Sequence, residues 1–249
     1  MCLIVVGWRA QADYPLVVAA NRDEFHARPT APLCRWPDAP DIIGGLDLEA
    51  GGTWLGIRQD GRFAAVTNVR EPGMTKGAQS RGALTRNFLT SSLSAAEYAA
   101  KIDPAQYSGF NLLLADGDSL LYFSNRDGSP RLLPPGIYGL SNQRLDTPWP
   151  KLLTARQKFA EALCELPDES AFFALLGDAS IVADKNLPET GVPIEWERLL
   201  SAVFVRSATY GTRASTLAWQ RGDGVLAVRE DSFGPNGRPL QSSRISTSE

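Results

Sequence analysis

The sequence predicts an α+β protein, a four-layer α-β-β-α sandwich in which helices cover two mainly antiparallel sheets. Two observations carry this prediction. Short apolar runs come in pairs joined by turn signals, a pattern typical of hairpins and therefore of antiparallel sheets. Segments with helical periodicity lie between groups of hairpins and need a sheet face to pack on. No linker and no internal repeat divides the chain, so we expect a single domain over residues 1–249.

The strands are predicted from apolar runs on either side of polar turns. Three hairpins are expected, at residues 3–9 and 16–21, 53–58 and 63–69, and 110–115 and 120–123. Later strands are expected at 137–141, 202–206, 215–220 and 225–231. Residues 24–41 carry four prolines and are predicted to form an irregular surface loop, because proline lacks a backbone donor. The C-terminal end, rich in Ser and Thr, is predicted to fray.

Helices are predicted where apolar residues recur every three to four positions. These segments are 84–93, 95–102, 150–166 and 170–176, with one further helical turn after Pro193. Ser94 is the expected N-cap of the second helix, and Glu97 stands at the capping-box position.

Composition excludes several classes of function. The chain has 25 basic and 28 acidic residues without a basic run, which argues against binding to nucleic acid. No apolar stretch approaches the roughly 18 residues that span a bilayer, so no transmembrane segment is expected. Cys2, Cys34 and Cys164 lack the spacing of a disulfide framework or a zinc site, which favours a cytoplasmic setting. A single histidine, His26, excludes metal centres built from several histidines. We therefore expect no metal site.

The second residue is a cysteine that leads directly into an apolar strand. If Met1 is removed, Cys2 carries a thiol and an α-amine on one residue. A cysteine thiol titrates near about 8.5 and an α-amine near about 7.8, so the amine can take the thiol's proton near neutral pH. Cys2 is therefore a candidate nucleophile. The alternative is a small apolar residue of a strand, since free cysteine is often buried.

Four polar residues follow the second predicted strand. In an antiparallel hairpin the end of strand two lies beside the start of strand one. We therefore expect a group of side chains within reach of Cys2, namely Asn21, Arg22, Asp23 and Glu24. The alternative is a solvated loop with a local ion pair, worth about 0–1 kcal/mol.

Three further polar segments, 67–70, 139–142 and 210–213, lie at or between predicted strand ends. Asn68 and Asn142 can donate N–H groups to a developing oxyanion. Arg213 can fix a carboxylate or the surroundings of the nucleophile. The plainer alternatives are turn residues for the two asparagines and a surface charge for the arginine. Together with Cys2, we interpret these residues as a candidate site.

The glycine-rich segment 51–56 matches neither a dinucleotide-binding fingerprint nor a P-loop. We interpret it as tight turns leading into a strand. Trp54 in this segment is expected to pack on its surroundings and is a candidate substrate-binding residue, together with Asn21 and Glu24.

These residues resemble the NRDE family, which is the family of the eukaryotic transport and Golgi organisation 2 protein and its bacterial relatives. The resemblance covers nearly the whole chain and rests on Met1-Cys2 and the segments 21–25, 51–56, 67–68, 139–142 and 211–213. It implies an N-terminal nucleophile (Ntn) hydrolase-like fold. The nearest characterised architecture is that of the choloylglycine hydrolase and penicillin V acylase group, which cleaves amide bonds with an N-terminal cysteine.

The resemblance also implies roles for single residues. Cys2 matches the nucleophile, and Arg22 and Asp23 match the residues that hold the nucleophile and its amine. Asn142 and Asn68 resemble the oxyanion-hole residues, and Arg213 resembles a late arginine near the nucleophile. The spacing of the arginine and the aspartate differs in the acylases, which makes Glu24 an added candidate for holding the nucleophile and its amine.

Two main hypotheses follow. The first is a cytoplasmic cysteine amidohydrolase that acts on an amide bond of a small molecule without a cofactor. The second is a protein that binds or transports haem or an acyl lipid in the same pocket, because eukaryotic members of the family are linked to haem homeostasis and to lipid or acyl-CoA metabolism. In that case His26, Cys2 or Cys34 would be candidate iron ligands. A structural protein with a vestigial site is a third, weaker possibility.

Overall fold

The computed structural model of the protein describes residues 2–73 and 77–247. The strands are β1 (Cys2–Trp8), β2 (Leu16–Phe25), β3 (Thr30–Trp36), β4 (Ala39–Asp47), β5 (Leu55–Arg58), β6 (Phe63–Asn68), β7 (Phe110–Ala115), β8 (Leu120–Ser124), β9 (Arg131–Leu133), β10 (Gly136–Leu140), β11 (Tyr210–Gln220), β12 (Leu226–Gly234) and β13 (Arg238–Ser246). The α-helices are α1 (Arg81–Thr90), α2 (Ala95–Ala100), α3 (Pro150–Ala162), α4 (Ser170–Leu176) and α5 (Ile194–Leu200).

The described strands form two sheets, and the α+β class predicted from the sequence is confirmed. One sheet has the order β10-β1-β2-β11-β12-β13, and the other runs from β3 to β9 in sequence order. All of their strand pairs are antiparallel. The paired apolar runs of the sequence are therefore hairpins, because adjacent antiparallel strands can be joined by short turns.

Three apolar clusters separate four layers. The two sheets face each other across a central cluster that includes Ile4 and Val18 from one sheet and Ile57 and Leu113 from the other. The outer face of the first sheet packs on α3 and α4, and the outer face of the second packs on α1 and α2. β1 is apolar at successive positions because both of its faces are buried. The predicted α-β-β-α sandwich is confirmed.

The predicted loop at residues 24–41 is wrong. β2 continues to Phe25, and β3 and the start of β4 occupy most of the remaining residues. The prolines are tolerated because β3 is the edge strand of its sheet, and Pro40 precedes the part of β4 that pairs with β5. This extension of β2 carries residues 21–24 within the sheet instead of in a solvated loop.

The C-terminal region also differs from its prediction. Residues 202–206 are largely buried but irregular, and the backbone N–H of Val205 donates to the Oγ1 of Thr212 at 2.9 Å. The end predicted to fray forms β13, which pairs with β12. An edge strand needs only one hydrogen-bonded neighbour, so a polar sequence is sufficient there.

The helix predictions were more accurate. α4 has the predicted bounds, and α1 begins three residues before the predicted start. Ser94 and Glu97 form the predicted capping box of α2. None of the described helices has the length and apolar character of a membrane span.

Candidate active site around Cys2

The register of the first hairpin places Cys2 beside the polar end of β2. Cys2 pairs with Arg22 across the β1–β2 ladder, and the backbone N–H of Asp23 donates to the thiol. Cys2 is only 8% exposed. Burial raises the pKa of the Cys2 thiol, and the nearby Asp23 carboxylate raises it further. The thiol therefore needs a base close to it in order to react near neutral pH.

The backbone of Cys2 is held from its other side by the segment that follows β10. The backbone nitrogen of Cys2 donates to the Oδ1 of Asn142 at 3.4 Å, and the Oγ of Ser141 donates to the carbonyl oxygen of Cys2 at 3.0 Å. β10 pairs with β1, which places residues 141 and 142 beside the start of β1. Met1 itself lies outside the described residues.

Asn142 does not occupy the position expected of an oxyanion donor. It is fully buried and does not line the cavity in front of Cys2. Its Nδ2 donates to the carbonyl oxygen and the Oδ1 of Asn68, at 3.0 and 2.9 Å. Both ends of its amide are thus engaged, so Asn142 positions Cys2 and Asn68. Asn68 lines the cavity, and its Nδ2 makes one long bond, 3.3 Å, to the carbonyl of Val69.

Cys2 opens onto a cavity of about 380 Å³. Its charged lining residues are Arg22, Asp23, Glu24, Arg28, Asp47, Glu49 and Arg81. Trp54 and Leu46 are among its apolar lining residues. Glu24 and Trp54, two of the predicted substrate-binding residues, line this cavity, and their role stays a prediction. The mixture of charged and apolar walls suits a small molecule with polar groups.

Asp23 is buried beside Cys2, with 3% of its surface exposed. Its Oδ1 accepts a hydrogen bond from the Oγ1 of Thr212 at 2.7 Å, and its carbonyl oxygen accepts one from the hydroxyl of Tyr210 at 3.2 Å. Burial raises the pKa of the Asp23 carboxyl, whereas Lys151 and the bond from Thr212 act against this shift. Thr212 is available because β11 pairs with β2 at this point.

Two predicted site residues point elsewhere. Asn21 is fully buried among backbone carbonyls, and its Nδ2 donates to those of Leu176 at 2.8 Å and Val203 at 2.9 Å. Asn21 does not line the cavity in front of Cys2, so the structure does not bring it together with the other predicted substrate-binding residues. The reason is the alternation of a strand: Asn21 and Arg22 face opposite sides of the sheet.

Arg213 is the second predicted site residue that does not face the cavity in front of Cys2. Its Nη1 donates to the carbonyl oxygens of Phe25 at 3.0 Å and Arg28 at 3.1 Å. Arg213 lines a neighbouring cavity of about 190 Å³ and not the one in front of Cys2. The register shift between Thr212 and Ala214 sets the position of this side chain, and a bulge of this kind is not evident from sequence.

Sequence reasoning missed two cations near the site. Lys151, in the first turn of α3, is 6% exposed, and its Nζ donates to the carbonyl oxygen of Leu200 at 2.8 Å. Burial lowers the pKa of Lys151 to about 8, and the charges of Asp23 and Cys2 oppose this shift. Arg81 begins α1 and lines the cavity. The available signal for Lys151 was a lysine at the apolar start of a predicted helix.

The candidate iron ligands are not brought together. Neither His26 nor Cys34 lines the cavity in front of Cys2. Burial and the charge of Arg213 lower the pKa of His26. Among residues 2–73 and 77–247, no group of three or more His, Cys, Asp or Glu side chains is arranged to hold a metal ion.

Comparison with known proteins identifies the family. The "Transport and Golgi organisation 2" family model matches residues 1–235. The "Transport and Golgi organization protein 2 homolog" of Bos taurus and that of Homo sapiens are each 38% identical over 241 residues, which cover 88% of this chain and 87% of theirs. The fold is similar to that of a solved Caenorhabditis elegans N-acylethanolamine-hydrolyzing acid amidase ortholog, with a TM-score of 0.52, 15% identity, and coverage of 87% of this chain and 92% of that chain. The chain therefore belongs to the Transport and Golgi organisation 2 family and has an Ntn-hydrolase-like fold.

Proposed function

We propose that the protein is a cysteine Ntn amidohydrolase, in which Cys2 becomes the N-terminal residue when Met1 is removed. The observation that carries this proposal is the way in which Cys2 is held. Its thiol accepts from the Asp23 backbone N–H, and its nitrogen donates to Asn142 Oδ1 at 3.4 Å, at the wall of a polar cavity. The same nitrogen becomes the α-amine after processing.

The proposed reaction uses that amine as the base. The amine takes the thiol proton, and the thiolate attacks the amide carbon to form a tetrahedral intermediate. Asn68 Nδ2, which lines the cavity, donates to its oxyanion. The C–N bond then breaks, the protonated α-amine returns a proton to the leaving amine, and a water molecule hydrolyses the thioester. Atoms and charges balance without a metal or a redox cofactor.

Asp23 and Arg22 complete the proposed site. The Asp23 carboxylate favours the protonated α-amine, which lowers the free energy of the ion pair formed when the thiol loses its proton. The Arg22 charge lowers the pKa of the Cys2 thiol and opposes the effect of burial. The fold is shared with an amidase ortholog of Caenorhabditis elegans, which supports hydrolysis of an amide by analogy of fold.

The test is turnover of a panel of N-acyl amides by purified wild type and variants. Cys2→Ala is expected to abolish release of the amine product while leaving the circular dichroism spectrum and Tm close to those of wild type. Cys164→Ala is the matched control, because Cys164 is exposed and does not line the cavity. Turnover by Cys2→Ala at the wild-type rate would refute the proposal.

The alternative is a protein that binds haem or an acyl lipid without turnover. Of the three candidate iron ligands only Cys2 lines the cavity, whereas His26 and Cys34 do not, and seven charged residues do. A haemin titration separates the two functions. A saturable shift of the haem absorption band that is lost in Cys2→Ala, together with absence of amide turnover, would favour the binding function.

A further inference from the structure

The cavity in front of Cys2 contains an arginine without a carboxylate partner. Arg28, on one wall, binds Asp47 at 2.7 Å and Glu49 at 3.1 Å. Arg81, on another wall, donates from Nη1 to the carbonyl oxygen of Gly109 at 3.2 Å. No carboxylate of the described residues lies within 4 Å of its guanidinium nitrogens. Burial lowers the pKa of Arg81, and the charges of Cys2 and Glu24 oppose that shift.

A second guanidinium on the same cavity is also incompletely paired. Arg22 is 7% exposed, and its Nη2 lies 3.7 Å from Glu24 Oε2, too far for a strong hydrogen bond. Its Nη1 is buried and has no hydrogen-bond partner within the part of the chain that the structure describes. A buried donor left without a partner lowers stability, and the loss is larger for a charged group. Arg22 therefore has hydrogen-bonding capacity that the described residues do not use.

The packing of α1 explains why Arg81 reaches the cavity. A Cβ on Gly52 would lie 2.4 Å from the carbonyl carbon of Gly82, so only glycine permits this approach of loop and helix. Ser80 caps the helix by accepting from the backbone N–H of Gly82 at 3.3 Å. Residues 79–82 all line the cavity. The positive end of the α1 dipole therefore lies in the same wall as Arg81.

The four carboxylates on the lining have partners other than Arg81. Asp47 and Glu49 are bound by Arg28, and Asp23 accepts from Thr212. Glu24 lies between two other arginines, 3.7 Å from Arg22 Nη2 and 3.9 Å from Arg28 Nε. The whole lining holds three arginines and four carboxylates, and Arg81 is the lining arginine that has no carboxylate of the described residues within 4 Å.

We infer that the substrate of the Cys2 site carries a carboxylate, which binds to Arg81 and the α1 N-terminus and extends toward Arg22. This inference rests on the proposed function and names its substrate class: an amide with an anionic group on the portion that faces α1. The carboxylate accepts charge-assisted hydrogen bonds from the Arg81 guanidinium, whose planar fork suits two carboxylate oxygens.

The test compares two alkylating probes of the same shape. Iodoacetate is an anion and iodoacetamide is neutral, and in both reactions the Cys2 thiolate forms an S–C bond while iodide leaves. The ratio of the two second-order rate constants is measured at Cys2 by peptide mass spectrometry. Exposed Cys164 in the same chain supplies the reference ratio. The iodoacetate/iodoacetamide ratio at Cys2 is expected to exceed the ratio at Cys164 by roughly 10-fold to 100-fold, as for one charge-assisted hydrogen bond.

Variants of Arg81 test whether this residue causes the preference for iodoacetate at Cys2. Arg81→Gln is expected to bring the ratio at Cys2 down to that at Cys164, and Arg81→Lys is expected to retain part of the preference. Arg86→Gln is the control, because Arg86 lies on the same helix, pairs with Asp38 and does not line the cavity. If Arg81→Gln fails to fold, Arg81→Lys and the wild type still decide the outcome.

A ratio at Cys2 equal to that at Cys164 in the wild type would overturn the inference, as would a preference that Arg81→Gln retains. The experiment measures how strongly an anion is favoured beside the Cys2 thiol and requires no turnover of an amide. A preference for iodoacetate in a protein that hydrolyses no amide would therefore refute only the hydrolase. Turnover of amides without the preference for iodoacetate would refute only the inference that the substrate carries a carboxylate.

Discussion

Replacing Lys151 with methionine tests how the buried charges near Cys2 are balanced. Lys151 is buried at the start of α3, and its Nζ donates to the carbonyl oxygen of Leu200. Burial lowers its pKa from 10.5 to about 8, while the charges of Asp23 and Cys2 act in the opposite direction. Methionine has a similar length and no charge, so Lys151→Met removes the titration and keeps most of the packing.

The size of the effect on the free energy of unfolding follows from the shift in the pKa of Lys151. The folded-state pKa lies below that of the unfolded chain, so between pH about 8 and about 10.5 the unfolded chain binds more protons. The free energy of unfolding therefore rises with pH across this window. At 1.36 kcal/mol per pKa unit, the rise due to Lys151 amounts to about 3 kcal/mol. The unpaired carbonyl of Leu200 lowers the stability of Lys151→Met by an amount that does not depend on pH.

The assay is urea unfolding at several pH values from 7 to 11, followed by fluorescence. The difference in free energy of unfolding between wild type and Lys151→Met is expected to change by about 3 kcal/mol over the window, in favour of the wild type at high pH. Lys158→Met is the control, since Lys158 lies on the same helix but is exposed and pairs with Asp178. Plots of unfolding free energy against pH that run parallel for wild type and Lys151→Met would refute the assignment of a lowered pKa to the buried lysine.

The remaining predictions concern neighbours of Cys2. Asn68→Ala is expected to lower kcat roughly 10²-fold to 10³-fold with little change in Tm, as for loss of one oxyanion donor, and an unchanged kcat would remove Asn68 from the mechanism. Asn142→Ala is expected to lower both kcat and Tm, because it removes the bonds to Cys2 and Asn68; a loss of kcat smaller than that of Asn68→Ala would contradict the positioning role. Thr212→Val removes a hydrogen bond that lowers the pKa of Asp23, so the acid limb of the pH–rate profile is expected to move to higher pH. An acid limb that does not move would contradict a role of Asp23 in the reaction. Asn21→Leu leaves two buried carbonyls without donors and is expected to lower the unfolding free energy by about 2–6 kcal/mol; a loss below about 1 kcal/mol in urea unfolding would contradict the structural role.

The sequence was sufficient to predict the hairpin that defines the site. Antiparallel pairing of two adjacent apolar runs brings the end of the second beside the start of the first, and Cys2 pairs with Arg22 as expected. The capping box at Ser94 was equally local, since both partners lie within four residues. Such predictions succeed because a few neighbouring residues determine the geometry.

The details of the site that could not be predicted from sequence depend on distant parts of the chain. The role of Asn142 follows from its contact with Asn68, which lies 74 residues away. Arg81 reaches the cavity through a glycine–glycine contact between a loop and α1, and the orientation of Arg213 follows from a bulge in β11. Residue type indicated that these side chains are polar, but not which cavity each one faces.

The most direct test of the central claim is the mass of the intact purified protein, confirmed by sequencing of its N-terminal peptide. The proposed mechanism requires the α-amine and the thiol on one residue, so the mass is expected to be lower than that of the full sequence by one methionine, with Cys2 as the first residue. Quantitative retention of Met1 in protein that hydrolyses amides would contradict the use of the Cys2 amine as the base.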